Sequence, residues 1–155
     1  MINSSFIDGV ILSPLKIIQD PRGNVLHMLK SSISTFDGFG ECYFSEINPG
    51  YIKAWKQHLV QIQNLAVPFG DIEIVLFDSR INSPTFELLN IFQIGRSTNY
   101  SRIRIPNGIW YGFRSLNNSM ALIANCANLE HDPSDSFILN YKIDSFIPYT
   151  WAAYE

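Results

Sequence analysis

The stretch Gly50-Tyr51-Ile52-Lys53-Ala54-Trp55-Lys56-Gln57-His58 decides how the chain is read. It follows Asn48-Pro49, a turn in which proline fixes φ and the following glycine accepts a positive φ, so it begins as a strand begins. Strict alternation puts Ala54, Lys56 and His58 on one face and Lys53, Trp55 and Gln57 on the other. With two lysines, a tryptophan and a histidine on one short strand, either face is a candidate site.

The surroundings fit a β protein. The chain has 155 residues with 46% hydrophobic, 14% aromatic and only 16% charged residues, enough for one folded domain over 1–155. Short runs rich in branched and aromatic residues recur between turn signals: 9–18 before Asp20-Pro21-Arg22-Gly23, then 24–29, 42–47, 62–67, 72–78, 86–94, 102–105 and 120–127. The run 72–78 is apolar on both faces, the pattern of a strand buried on both sides. About nine such strands, with no sustained helical period, predict an all-β sandwich or barrel.

A net charge of -3 gives no field to gather a phosphate backbone, so nucleic acid is not an expected partner. Residues 1–12 lack the basic start and long apolar run of a signal peptide, and no run has the length of a membrane span. The chain is therefore expected to be cytoplasmic, with no membrane partner. Cys42 and Cys126 lie far apart in sequence and are read as reduced thiols.

Lys56 and His58 on one face place an ammonium beside an imidazole, and each lowers the other's pKa. That pair is either a base poised near neutrality or a solvent-facing lysine beside an edge histidine. A metal is not expected, because a lysine occupies the first place of the His-x-His pair that a strand would offer, and His27 and His131 fall in other segments. Arg102 and Arg104 share a face and are followed by Trp110, Tyr111 and Phe113. This is either a nucleotide grip of guanidinium and ring or a basic surface over an aromatic core. No Gly-x-Ser-x-Gly elbow and no phosphate-cradling glycine loop are present.

Five landmarks in order resemble the dTDP-4-dehydrorhamnose 3,5-epimerase family. They are Asp20-Pro21-Arg22-Gly23, the quoted strand, Asp78-Ser79-Arg80 with Ser83-Pro84-Thr85-Phe86, Ile105-Pro106-Asn107-Gly108-Ile109-Trp110-Tyr111-Gly112-Phe113, and the segment 144–151. The resemblance implies a cupin-type jelly roll of antiparallel strands, a homodimer that exchanges an N-terminal strand, no cofactor, and a cavity for a nucleotide-linked 4-keto sugar.

The resemblance also exposes departures. Lys56 stands where the family has its histidine base, Lys53 where it has a phosphate-side arginine, Gln63 where it has a lysine, and Ala124 where it has a tyrosine acid. Asp144 falls at the carboxylate partner of the histidine, and Tyr111 replaces a further histidine. The expected catalytic set has Lys56 or His58 as base, and His58 is preferred because a lysine against Asp144 stays charged; Lys56 then meets the developing oxyanion, Tyr111 is a replacement acid or oxyanion donor, and Asp144 orients the base. Arg22 (from the partner subunit), Lys53, Gln63, Arg104 and Trp110 are the implied substrate-binding residues. The expected activity is isomerisation by proton abstraction next to the keto group. The alternatives are a silent nucleotide-sugar-binding accessory protein and a structural dimer.

Overall fold

The computed structural model describes residues 6–143 and 146–151. Twelve strands appear among them: β1 (Ile11–Pro14), β2 (Ile17–Ile18), β3 (Val25–Leu26), β4 (Glu41–Ile47), β5 (Ile52–His58), β6 (Gln63–Phe69), β7 (Asp71–Asp78), β8 (Leu89–Gly95), β9 (Ser101–Ile105), β10 (Ile109–Ser115), β11 (Ala121–Ala127) and β12 (Ser136–Ile138). They form two five-stranded sheets, ordered β1-β9-β6-β11-β4 and β12-β5-β10-β7-β8, and a small β2-β3 hairpin. All pairings are antiparallel, as a jelly roll requires. No helix among the described residues is long and apolar enough to cross a membrane.

Period-two alternation builds the core. Ile72, Ile74 and Leu76 of β7 point between the sheets, where they meet Leu65, Val67, Ile103, Ile105, Ile109 and Ile123. Val75 and Phe77 point the other way, into a second cluster with Trp55, Trp110, Ile147 and Trp151. β7 is thus buried on both faces along its whole length, as its sequence predicts, because the C-terminal segment wraps the outer face of its sheet.

Three strand expectations need correction. The run 9–18 is two strands, because residues 11–14 pair with β9 whereas Ile17 and Ile18 change partner and pair with β3. The strand expected over 86–94 starts only at Leu89, since Glu87 holds a φ of 64°, which no strand accepts. β12 lies beyond the last strand that the sequence pattern offers, and three residues are too few to show a period.

The landmark Asp78-Ser79-Arg80 with Ser83-Pro84-Thr85 is a staple rather than a binding motif. Asp78 accepts from Arg80 Nε at 2.9 Å, Ser83 Oγ at 2.6 Å and Thr85 Oγ1 at 2.7 Å. Burial raises its pKa, but these hydrogen bonds outweigh burial and bring it to about 2. The two cysteines are directly paired across β4 and β11, with free sulfurs 3.3 Å apart.

The feature that shapes the interior is a register shift between β5 and β10. Tyr111 pairs with Lys56 but Phe113 pairs with Lys53, so two residues separate Lys53 from Lys56 while one separates Phe113 from Tyr111. A Cβ on Gly112 would stand 2.4 Å from Ala54 Cβ, which explains the glycine opposite the bulge. Gly112→Ala should therefore lower stability by about 1–3 kcal/mol, read as a fall in thermal midpoint. An unchanged midpoint would show that the bulge relaxes freely.

Candidate active site

The bulge changes which residues of β5 share a face. Alternation would set Lys53 and Lys56 on opposite sides, yet both line one cavity of about 270 Å³ between the sheets. The expected sharing of a face by Lys53 and Trp55 is corrected: Trp55 is 1% exposed and packs against Trp151 and Tyr149 outside the sheet. Tyr111 and Phe113 of β10 join the lysines on one wall. Tyr43 and Ser45 of β4, with Ile123 and Asn125 of β11, form the other.

Lys53 Nζ donates to Ser45 Oγ at 3.1 Å and to the Glu46 carbonyl at 2.6 Å, which holds it at the cavity edge. A shallower groove continues outward from Lys53 past Phe44, Tyr51 and Asn48. Lys56 lies deeper and makes no ion pair among the described residues. Among the described residues no carboxylate belongs to the cavity lining, and the two ammonium groups there favour a positive potential.

Behind this wall sits His58, 3% exposed. Its Nε2 lies 3.3 Å from the Tyr111 hydroxyl, and its Nδ1 lies 3.5 Å from Asp135 Oδ2. Asp135 is fixed in turn, because its carboxylate accepts from the backbone of Val60 at 2.6 Å and Gln61 at 3.1 Å. A carboxylate facing Nδ1 favours a proton there and leaves the Nε2 lone pair to accept from Tyr111. Burial and the nearby Lys56 charge lower the His58 pKa, with Asp135 opposing, so the imidazole is neutral near pH 7. Burial, reinforced by Tyr43, raises that of Tyr111, which stays a phenol.

The expected residues divide accordingly. Lys53, Lys56 and Tyr111 meet in the cavity, and His58 reaches it only through Tyr111, which corrects its placement as a group facing substrate directly. Asp144 lies outside the described residues. Asp135, which the sequence reading passed over, is the carboxylate beside His58. The Asp132-Pro133 start of a 3-10 helix, capped by Asp132 onto Ser134, was its only local signal, and it places a turn without naming a partner.

Four expected binding residues stand apart from the cavity. Trp110 is turned into the outer cluster against Phe146, because it is one residue out of phase with Tyr111. Arg104 grips Asp37 with two hydrogen bonds of 2.7 Å and also bonds the Gly9 carbonyl, so its fork is used to hold the chain over the outer face of its sheet. Arg22 is exposed on the turn between β2 and β3, paired with Asp20. Gln63 is buried behind Asn125, to whose side chain it is hydrogen-bonded. Among the described residues no group of three His, Cys, Asp or Glu side chains could hold a metal ion.

Comparison with known proteins places this geometry. No family model matches the chain. A probable low-salt glycan biosynthesis epimerase of Haloferax volcanii is 33% identical over 131 residues, 83% of each chain. The crystal structure of a dTDP sugar isomerase from Desulfovibrio desulfuricans is similar with a TM-score of 0.92 and 42% identity, over 96% of this chain and 94% of that one. The dTDP-4-dehydrorhamnose 3,5-epimerase of Bacillus anthracis, solved with TDP and pyrophosphate bound, shares the fold with a TM-score of 0.75 at 18% identity, over 92% of this chain and 86% of that one.

The buried histidine makes a prediction of its own. Its folded-state pKa is depressed, so the unfolded chain takes up the proton first, near ~6.5. The stability that His58 contributes is complete above that pH and is lost as pH falls below it. Imidazole ¹⁵N shifts followed against pH should place the His58 midpoint below ~6.5, whereas a midpoint at or above ~6.5 would contradict the site's electrostatics.

Proposed function

Because the chain belongs to the dTDP-4-dehydrorhamnose 3,5-epimerase family of cupin-type nucleotide-sugar epimerases, we propose that it is an isomerase of a nucleotide-linked 4-keto-6-deoxy sugar, with a role in surface-polysaccharide or deoxysugar biosynthesis. The observation that carries the chemistry is the Tyr111 hydroxyl, on the cavity wall and 3.3 Å from the imidazole of a buried, neutral histidine.

The family's usual base and acid positions hold Lys56 and Ala124, so the work falls to other groups. The nucleotide phosphates lie at the outer edge, against Lys53, and the sugar enters the apolar interior. The Lys56 ammonium meets the keto oxygen and acidifies the neighbouring C–H bond. The proton leaves carbon for the Tyr111 oxygen while the Tyr111 proton passes to His58 Nε2, and the C–H electron pair becomes an enolate held by Lys56. The transfer creates an imidazolium beside Asp135 and never a free phenolate, which burial disfavours. His58 is thus the final proton acceptor and Tyr111 the group that touches substrate.

A homodimer belongs to the same proposal. Phe44 and Tyr51 are 65% and 68% exposed beside the outer groove, and among the described residues β4 and β1 are the edge strands of their sheet. An N-terminal strand crossing to the partner would bring the exposed Arg22 of one subunit toward the phosphates held by the other. An accessory binding role is not favoured, since binding alone gives no use to a tyrosine backed by a buried histidine and a fixed carboxylate.

Incubation with nucleotide-linked 4-keto-6-deoxy sugars in heavy water should give deuterium at a carbon next to the ketone, read by NMR. Tyr111→Phe and His58→Asn should each slow that exchange about 100-fold or more. Exchange at the unaltered rate in both variants would overturn the relay, and ligand-induced thermal stabilisation without any exchange would leave a binding protein. Lys53→Ala should weaken binding of the nucleotide sugar, by less as salt rises. Undiminished affinity at low salt would remove Lys53 from the phosphates.

A further inference from the structure

Inversion at a carbon needs a second proton donor, on the face opposite the base, and Ala124 leaves the family's position for it empty of any acid. A chain of buried amides across the other cavity wall supplies a candidate. It starts at the backbone carbonyl of Leu129, which can only accept, so the Gln61 amide nitrogen donates to it at 2.6 Å. Gln61 Oε1 is then left to accept from Gln63 Nε2, also at 2.6 Å. Gln63 Oε1 in turn accepts from Asn125 Nδ2. Every amide in the chain is therefore oriented by hydrogen-bond logic from a fixed end.

Two consequences reach the cavity. Asn125 Nδ2 also donates to the Tyr43 hydroxyl oxygen at 2.7 Å, so the Tyr43 proton is not spent on Asn125 and is free to point elsewhere. Among the described residues Asn125 Oδ1 has no partner, although the residue is only 2% exposed and lines the cavity, a buried acceptor that a ligand donor would satisfy. Tyr43 lies on β4 and Tyr111 on β10, in different sheets, with the cavity between them.

We propose that Tyr43 and Asn125 form a second catalytic and recognition pair: the Tyr43 hydroxyl returns a proton to the sugar carbon on the face opposite Tyr111, and Asn125 Oδ1 accepts a sugar hydroxyl. This rests on the reading of the cavity as a keto-sugar isomerase site. In the step, the enolate re-forms the ketone, a new C–H bond takes the Tyr43 proton, and the phenolate is left accepting from Asn125 Nδ2. Water re-protonates it from the solvent side, since Tyr43 is 37% exposed, and His58 releases the proton it took. Asn125 selects ligands with a hydroxyl to donate, and one lacking it would leave Oδ1 buried and unsatisfied.

Tyr43→Phe tests the pair, with substrate in heavy water and two quantities read together by NMR: deuterium entering the carbon, and inversion of its configuration. The residue is partly exposed and the change only removes an oxygen, so a thermal melt suffices to verify folding. The proposal expects deuterium exchange within about threefold of the unaltered protein, with configuration retained, and inversion reduced about 100-fold. A loss of inversion smaller than about tenfold overturns it. So does a folded variant that loses exchange and inversion together, and so does unaltered protein that exchanges without inverting. Failure of the underlying reading appears separately, as no exchange in the unaltered protein.

Discussion

The site depends on the mismatch of one residue between β5 and β10. Gly112 offers no side chain at the place where Ala54 approaches, so the strands stay hydrogen-bonded while β5 gains an extra residue between Lys53 and Lys56. The gain turns Lys53 to the same side as Lys56 and sends Trp55 to the outer face. Trp55 then anchors the arrangement, because reversing the phase would drag a fully buried indole out of a cluster with Trp151, Trp110 and Phe77. Apolar burial of about 1.5–3 kcal/mol or more for so large a ring holds two ammonium groups on one wall.

The lysines set the electrostatics of everything near them. Among the described residues no carboxylate in the lining faces them, and Lys56 adds to the desolvation that keeps His58 neutral. A neutral histidine can accept a proton, which a charged one cannot. Asp135 stands on the far side of the ring, where it orients the tautomer without entering the cavity. Tyr111 separates the imidazole from the ligand space, so the same burial that suppresses phenolate also makes a concerted transfer preferable to a stepwise one.

The fold was legible in the sequence because turns and strands carry local marks. Asn48-Pro49-Gly50 starts β5 as expected, with Gly50 at a φ of 77°, and the doubly apolar run at β7 is buried on both faces. Family landmarks supplied the jelly roll and the cavity wall that β5 and β10 make. The site was legible only in part, and the misses share a cause. Strand alternation assumes an unbroken ladder, so it could neither foresee Lys53 beside Lys56 nor tell Trp110 from Tyr111. Arg104 looks like a phosphate grip until Asp37, 67 residues away, takes both arms of its fork. Tyr43 and Asn125 sit opposite each other on strands 82 residues apart, and an amide chain that spans three segments has no signature in any one of them.

The central claim is that the sugar lies between the two sheets with its acidic carbon at Tyr111. A crystal structure with a nucleotide-linked 4-keto sugar, or a stable analogue of one, tests it most directly. The account predicts phosphates within hydrogen-bond reach of Lys53, the keto oxygen against Lys56, and the adjoining carbon near the Tyr111 hydroxyl, with His58 still behind it. A sugar ring left in the outer groove beside Phe44 and Tyr51, with the Tyr111 hydroxyl touching only His58, would contradict it.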